Sequence, residues 1–154
     1  MSKTLNLGDE APNFALPDQH GEYFHLADER GKKIILSFHP LAFTGVCALQ
    51  MQDLEAQQEA LKQRNAIAVG ISVDSKAAKK AWANQLGIVH TRLLADFWPH
   101  GEVAELYGIF RADEGISERA VFIVDEQGRI LWKKIYPISE RPDIQEILAA
   151  LEPA

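Results

Sequence analysis

The stretch Ile34-Ile35-Leu36-Ser37-Phe38-His39-Pro40-Leu41-Ala42-Phe43-Thr44-Gly45-Val46-Cys47 decides how this chain is read. Its opening, with Lys33, is an apolar run of the length expected for a buried strand over Lys33–Phe38. The pattern changes at Cys47. Residues Cys47–Gln63 contain no Gly or Pro and set Leu54, Leu61 and other apolar side chains among Gln and Glu, the pattern of an amphipathic helix. Strand followed by helix puts Cys47 at or near a helix N-terminus. There the partial positive charge and free backbone N–H groups favour a thiolate.

Outward from this segment the chain alternates. Upstream, Asp9–Phe14 and Gly21–Leu26 read as short extended pieces around the turn Asp18-Gln19-His20-Gly21. Downstream, Ala66–Val73 reads as a second buried strand, and Asp74-Ser75 caps a helix over Lys76–Leu86 that Gly87 stops. That helix is expected to show Ala78, Ala81, Trp82, Gln85 and Leu86 near one face. Thr91–Ala95 is a short strand and Gly101–Tyr107 a short helix. Ala120–Val124 and Ile130–Ile135 flank Asp125–Arg129 as a hairpin. Pro142 introduces a last amphipathic helix carrying Ile144, Ile147, Leu148 and Leu151. Early βα alternation ending in an antiparallel hairpin predicts an α/β fold with a central mixed sheet and helices on both faces. The order matches a thioredoxin-like fold, expected as a single domain over residues 1–154.

Composition narrows the function. The 154 residues are 47% hydrophobic and 25% charged, ordinary for a globular chain. A net charge of −6 argues against nucleic acid and anionic membrane surfaces as partners. No apolar run is long enough to span a membrane. The start, Met1-Ser2-Lys3-Thr4-Leu5-Asn6, lacks the apolar core of a secretory signal, and with a lone cysteine this fits a reducing cytoplasm. The five histidines (His20, His25, His39, His90, His100) show no metal-ligand spacing, so no metal or cofactor is expected.

With one thiol in the chain there is no internal disulfide, and any thiol chemistry takes its second sulfur from outside. A free cysteine is most often a buried small hydrophobe. Three neighbours argue for more. Thr44 stands three residues before Cys47, on the same side of a first helical turn. Gly45 lets the backbone pass close to a ligand, and Pro40 has a fixed φ and no N–H. A low thiol pKa alone would weaken the nucleophile as it raised the thiolate fraction. Selective peroxide chemistry also needs donors aimed at the leaving oxygen, a role suited to a guanidinium. Arg92, Arg111, Arg119 and Arg129 are all candidates on the residues alone.

Pro40-x-x-x-Thr44-x-x-Cys47 resembles the active-site signature of the peroxiredoxins, and Glu118–Asp125 resembles their arginine-bearing strand. Gly8–Phe14 and Leu94–Gly101 extend the likeness over nearly the whole chain, and the wording is similar to the single-cysteine alkyl hydroperoxide reductase E type. The resemblance implies a thiol-dependent peroxidase reducing hydrogen peroxide and organic hydroperoxides. It implies Cys47 as peroxidatic nucleophile, Thr44 as a hydrogen-bond partner of thiolate and peroxide, and Arg119 as stabiliser of the transition state. Pro40 would shield the sulfur, backbone N–H groups of Val46 and Cys47 would complete the anion site, and Gly45 would lie against the bound peroxide. An external thiol or redoxin would resolve the sulfenic acid, and a homodimer is implied, with Phe43, Phe97 and Trp98 as apolar candidates for its face. Two positions depart from the pattern: Gln50 where many members carry glutamate, and His39 where Tyr or Phe is common. A peroxide sensor or relay without efficient turnover is the alternative, and an inert thioredoxin-like binding module is a third. A general disulfide reductase is disfavoured by the absence of Cys-x-x-Cys.

Overall fold

The structure is a computed structural model describing residues 5–152; Met1–Thr4, part of the opening read as lacking a secretory core, lie outside it. A hairpin of β1 (Ala15–Pro17) and β2 (Tyr23–His25) leads through a 3-10 turn at Leu26–Glu29 into β3 (Lys33–Phe38). Then come α1 (Gly45–Ala56), α2 (Gln58–Gln63), β4 (Ala66–Ser72), α3 (Lys76–Leu86), β5 (Arg92–Ala95) and α4 (Glu102–Leu106). A two-stranded ribbon, β6 (Phe110–Arg111) with β7 (Ile116–Ser117), precedes β8 (Arg119–Val124), β9 (Ile130–Tyr136) and α5 (Ile144–Ala150). The main sheet has the order β5-β4-β3-β8-β9. β3, β4 and β5 run parallel, whereas β8 is antiparallel to β3 and β9 to β8. This is the mixed sheet that the alternation predicted.

Period-2 alternation sorts the two faces. Ile34, Leu36 and Phe38 of β3, with Ala120, Phe122 and Val124 of β8, enter one core with Phe14, Phe24, Val103 and Tyr107. The intervening Ile35, Val121 and Ile123 enter the other, with Cys47, Met51, Leu54, Leu61, Trp82 and Ile147. So α1, α2, α3 and α5 cover the face that holds Cys47, and α4 with the β1–β2 hairpin covers the opposite one. Each fully buried Ile, Leu or Phe is worth about 1.5–3 kcal/mol of transfer free energy. α1 crosses close over β4: a Cβ at Gly70 would collide with Met51 Sδ, so a larger residue there would force the Met51 side chain to shift.

Two expectations are corrected. The helix expected over Cys47–Gln63 is broken at Gln57, with φ −102° and ψ 19°, where its N–H bonds Leu54 O at 3.2 Å. This tightened turn still leaves Leu54 and Leu61 buried on the same core. In α3 the buried side chains are Lys79, Trp82 and Ala83, while Ala81 and Gln85 are exposed. The apolar content of that helix misplaces its inner face, because a lysine occupies it. Among the described residues no helix is long and apolar enough to cross a membrane.

Candidate active site

The connection from β3 to α1 is held on both sides. His39 N–H donates to Ile71 O at 2.9 Å, continuing the parallel β3–β4 pairing past Phe38. Asp74 Oδ2 accepts from Ala42 N–H at 2.7 Å and from the Ser72 hydroxyl at 2.5 Å, tying the loop to the end of β4. Phe43 has φ 65°, a left-handed conformation that costs a residue with a Cβ about 1–2 kcal/mol. Thr44 is the N-cap of α1, with extended φ −113° and ψ 151°. The first turn of the helix bonds Ala48 N–H to Thr44 O at 2.9 Å, so the N–H groups of Gly45, Val46 and Cys47 belong to the set without carbonyl partners four residues back.

Cys47 is the third residue of α1 and is fully buried. Arg119 opens β8 on the same sheet face as Val121 and Ile123, and is 3% exposed. Its Nη1 donates to Cys47 Sγ at 3.2 Å and to Gln50 Oε1 at 2.7 Å, and its Nε donates to Ile138 O at 2.9 Å. Gln50, one turn beyond Cys47, is itself clamped: its amide nitrogen donates to Ser37 Oγ at 2.7 Å and Phe38 O at 3.2 Å. The other candidate arginines are engaged elsewhere. Arg92 pairs with Asp18, Arg111 with Glu114 and Glu118, and Arg129 bonds Gly8 O. Glu118, the residue before Arg119, faces Arg111.

The remaining expected site residues lie on the loop. Pro40 is buried, Val46 half-buried, and Gly45 and Thr44 are exposed. The Thr44 hydroxyl donates to Leu41 O at 2.8 Å rather than to Cys47. Phe43, Phe97 and Trp98 are exposed, at 52%, 52% and 82%, so they are not core residues. Among the described residues no group of three or more His, Cys, Asp or Glu could hold a metal.

Behind the loop lies a group the sequence did not reveal. His39 is fully buried, its ring 5.3 Å from that of Trp82, and its Nε2 lies 2.7 Å from Nζ of the equally buried Lys79. Burial and then the Lys79 charge hold His39 well below the usual imidazole range, with Arg119 adding to the effect and the Ser37 backbone opposing it. Burial pulls Lys79 down to about 7, against Asp74 and Cys47, whose negative charges favour the ammonium. The signal was available: Lys79 stands three residues before Trp82, on the same helical face.

Residues 7–133 match the AhpC/TSA family. The chain belongs to that family. It is a peroxiredoxin, a thiol-dependent peroxidase, with a single cysteine. It is 38% identical over 151 residues to alkyl hydroperoxide reductase E of Mycobacterium tuberculosis, covering 96% of this chain and 98% of that one. To peroxiredoxin-1 of Gekko japonicus it is 35% identical over 134 residues, 80% of this chain and 66% of the relative. Among solved structures, AhpC of Enterococcus faecalis superposes with a TM-score of 0.87 at 26% identity, covering 97% of this chain and 91% of that one. Peroxidoxin BcpB from Mycobacterium tuberculosis gives 0.84 at 25%, covering 96% of each chain. These neighbours bear out the thioredoxin-like fold of the peroxiredoxin.

Proposed function

We propose that Cys47 is the peroxidatic nucleophile of this peroxiredoxin and that its substrates are hydrogen peroxide and organic hydroperoxides. The observation that carries this reading is the 3.2 Å contact from Arg119 Nη1 to the buried Cys47 Sγ. The thiolate attacks one peroxide oxygen; an S–O bond forms as the O–O bond breaks, sulfur is oxidised to sulfenic acid, and the alkoxide or hydroxide leaves and takes a proton. Arg119 and the N–H groups of Val46 and Cys47 face the charge that develops, and stabilisation of that kind is worth about 10²–10³ in rate per donor. Pro40 closes the loop against water. Thr44 borders the open side, where its hydroxyl oxygen has lone pairs free to accept from a peroxide.

With one cysteine in the chain, resolution requires an outside sulfur. A thiol R–SH condenses with the sulfenic acid to a mixed disulfide and water. A second thiol then releases Cys47 and forms R–S–S–R. That reductant is a low-molecular-weight thiol or a redoxin. The chain is read as one domain over 1–154, working in the cytoplasm as a homodimer; the exposure of Phe43, Phe97 and Trp98 supports an apolar pairing face.

Stopped-flow oxidation of reduced protein by hydrogen peroxide, compared with alkylation by iodoacetamide and with Cys47→Ser as control, tests the reading. Peroxide oxidation several orders faster than a free thiolate, with ordinary alkylation, is expected. If both rates track thiolate content alone, the site does not activate peroxide and the reading fails.

A further inference from the structure

The loop between β3 and α1 is gripped from several elements, and α3 grips it through a buried polar pair. Lys79 and His39 are both 0% exposed, and Lys79 Nζ lies 2.7 Å from His39 Nε2. A buried polar group without its partner is costly, so each of these side chains fixes the place of the other. The His39 ring also lies on Trp82 of α3, with centroids 5.3 Å apart. Trp82 in turn meets Phe43, the left-handed residue of the loop, at 6.2 Å. Asp74, the larger of the negative charges favouring the Lys79 ammonium, accepts from Ala42 N–H at 2.7 Å. Residues 39, 42 and 43 are thus fastened to α3 and to the segment before it. The same stretch leads on to the sulfur. Gln50 Nε2 donates to Phe38 O at 3.2 Å, and Gln50 Oε1 accepts from the Arg119 Nη1 that also donates to Cys47 Sγ. The Ser117 hydroxyl is shared between His39 O at 3.3 Å and Glu118 O at 2.9 Å, just ahead of Arg119 in the chain. A shift of His39 therefore moves the acceptors on which Gln50 and Ser117 are set, and through them the guanidinium.

We propose that Lys79 and His39 are a positioning pair for peroxide reduction: their buried hydrogen bond fixes the loop against α3 and so keeps Arg119 and the first turn of α1 in register on Cys47 Sγ. This rests on the reading of Cys47 as the peroxidatic nucleophile. The pair acts through the hydrogen bonds just named, not by touching the sulfur. A phenyl ring at position 39 would still pack on Trp82 but would offer the lysine no acceptor. Apolar contact is non-directional, whereas a hydrogen bond fixes distance and angle.

Two reactions of Cys47, stopped-flow oxidation by hydrogen peroxide and alkylation by iodoacetamide, test the pair in Lys79→Met, His39→Phe and the double variant. Each single variant strands a buried partner and should lower the peroxide rate constant about tenfold, as small misplacements of reacting groups do. Alkylation needs no donors on a leaving oxygen, and a looser loop uncovers the sulfur, so its rate should hold or rise. The double variant strands nothing and should recover to about threefold below the parent, the non-additive result of two groups in direct contact. It also decides the matter by itself where a single variant does not fold. A merely structural pair would lower the melting temperature and leave the ratio of the two rates unchanged. A parent-like ratio in the variants that fold, or single losses that multiply in the double, would overturn the proposal. If the parent itself is oxidised no faster than its thiolate content predicts, the peroxidatic reading fails instead, and the alkylation rates still show whether the pair holds the loop.

Discussion

Arg119 Nη1 serves Cys47 Sγ at 3.2 Å and Gln50 Oε1 at 2.7 Å, so one nitrogen of the guanidinium is shared between the sulfur and a neutral amide. The neutrality matters. A carboxylate at position 50 would compete with the thiolate for the same positive charge, and it would lose the amide N–H groups that Ser37 Oγ and Phe38 O now accept. Gln50→Glu should therefore slow peroxide oxidation about tenfold near pH 7. Stopped-flow oxidation of the reduced variant checks this. An unchanged rate would mean that Arg119 does not divide its charge between the two.

Removing the guanidinium tests the other end of the bridge. Arg119 holds three acceptors at once, Sγ, Gln50 Oε1 and Ile138 O, in a planar fork. A lysine is a point charge and cannot reach all three. Arg119→Met should lower the peroxide rate constant by about 10²–10³-fold, and Arg119→Lys should recover only part of it. Iodoacetamide alkylation, which has no oxygen leaving group to stabilise, should fall far less. Equal losses in the two reactions would reduce Arg119 to a thiol-acidifying charge.

The residues alone left four arginines open and the resemblance to peroxiredoxins singled out Arg119; the structure shows the physical reason, because period-2 patterns carry over between neighbouring strands. Ile35 and Ser37 share a face of β3, as do Arg119, Val121 and Ile123 in β8, and the pairing of Phe38 with Ala120 brings the two sets together at Cys47. The strand–helix order around residues 33–56 and the hairpin of β8 and β9 followed from the same reasoning. What failed were places where the buried residue is the wrong chemical type. Lys79 shares a helical face with Trp82, but nothing local says that His39 waits for it 40 residues back. The ribbon of β6 and β7 also escaped, since two-residue strands leave no periodicity to detect.

Glu55 makes a testable contribution to folding rather than chemistry. Its carboxylate accepts from Val89, His90 and Thr91 N–H, at 2.8–3.1 Å, and from the Thr91 hydroxyl at 2.8 Å. These bonds tie α1 to the loop before β5. Burial tends to raise the Glu55 pKa, but the four donors overcome it and leave the group lowered. Its contribution is therefore present above the unfolded carboxylate range and lost as pH falls. Glu55→Ala should cost on the order of 1–3 kcal/mol in urea unfolding at pH 7 and less at pH 4. A cost that does not shrink in acid would show that packing, not the charged clamp, is responsible.

Asp96 gives the opposite sign. It is 2% exposed at the end of β5, and its carboxylate accepts from Val103 N–H at 3.1 Å and Ala104 N–H at 3.0 Å at the start of α4. Burial nevertheless raises it to about 6; the two N–H groups oppose the shift, Glu102 adds to it and His100 subtracts. A carboxyl with a raised folded pKa stabilises the fold below its unfolded value, near 3.8, and loses that stabilisation as pH climbs through about 6. Asp96→Asn removes the charge and keeps an oxygen for one of the two N–H groups, since Val103 bonds Oδ1 and Ala104 bonds Oδ2; the lost bond is a cost that does not change with pH. Relative to the parent, it should gain on the order of 2 kcal/mol between pH 4 and pH 8, read as the difference of the two urea-unfolding curves at each pH. A difference that stays flat, or runs the other way, would mean that the two N–H groups hold Asp96 charged despite its burial.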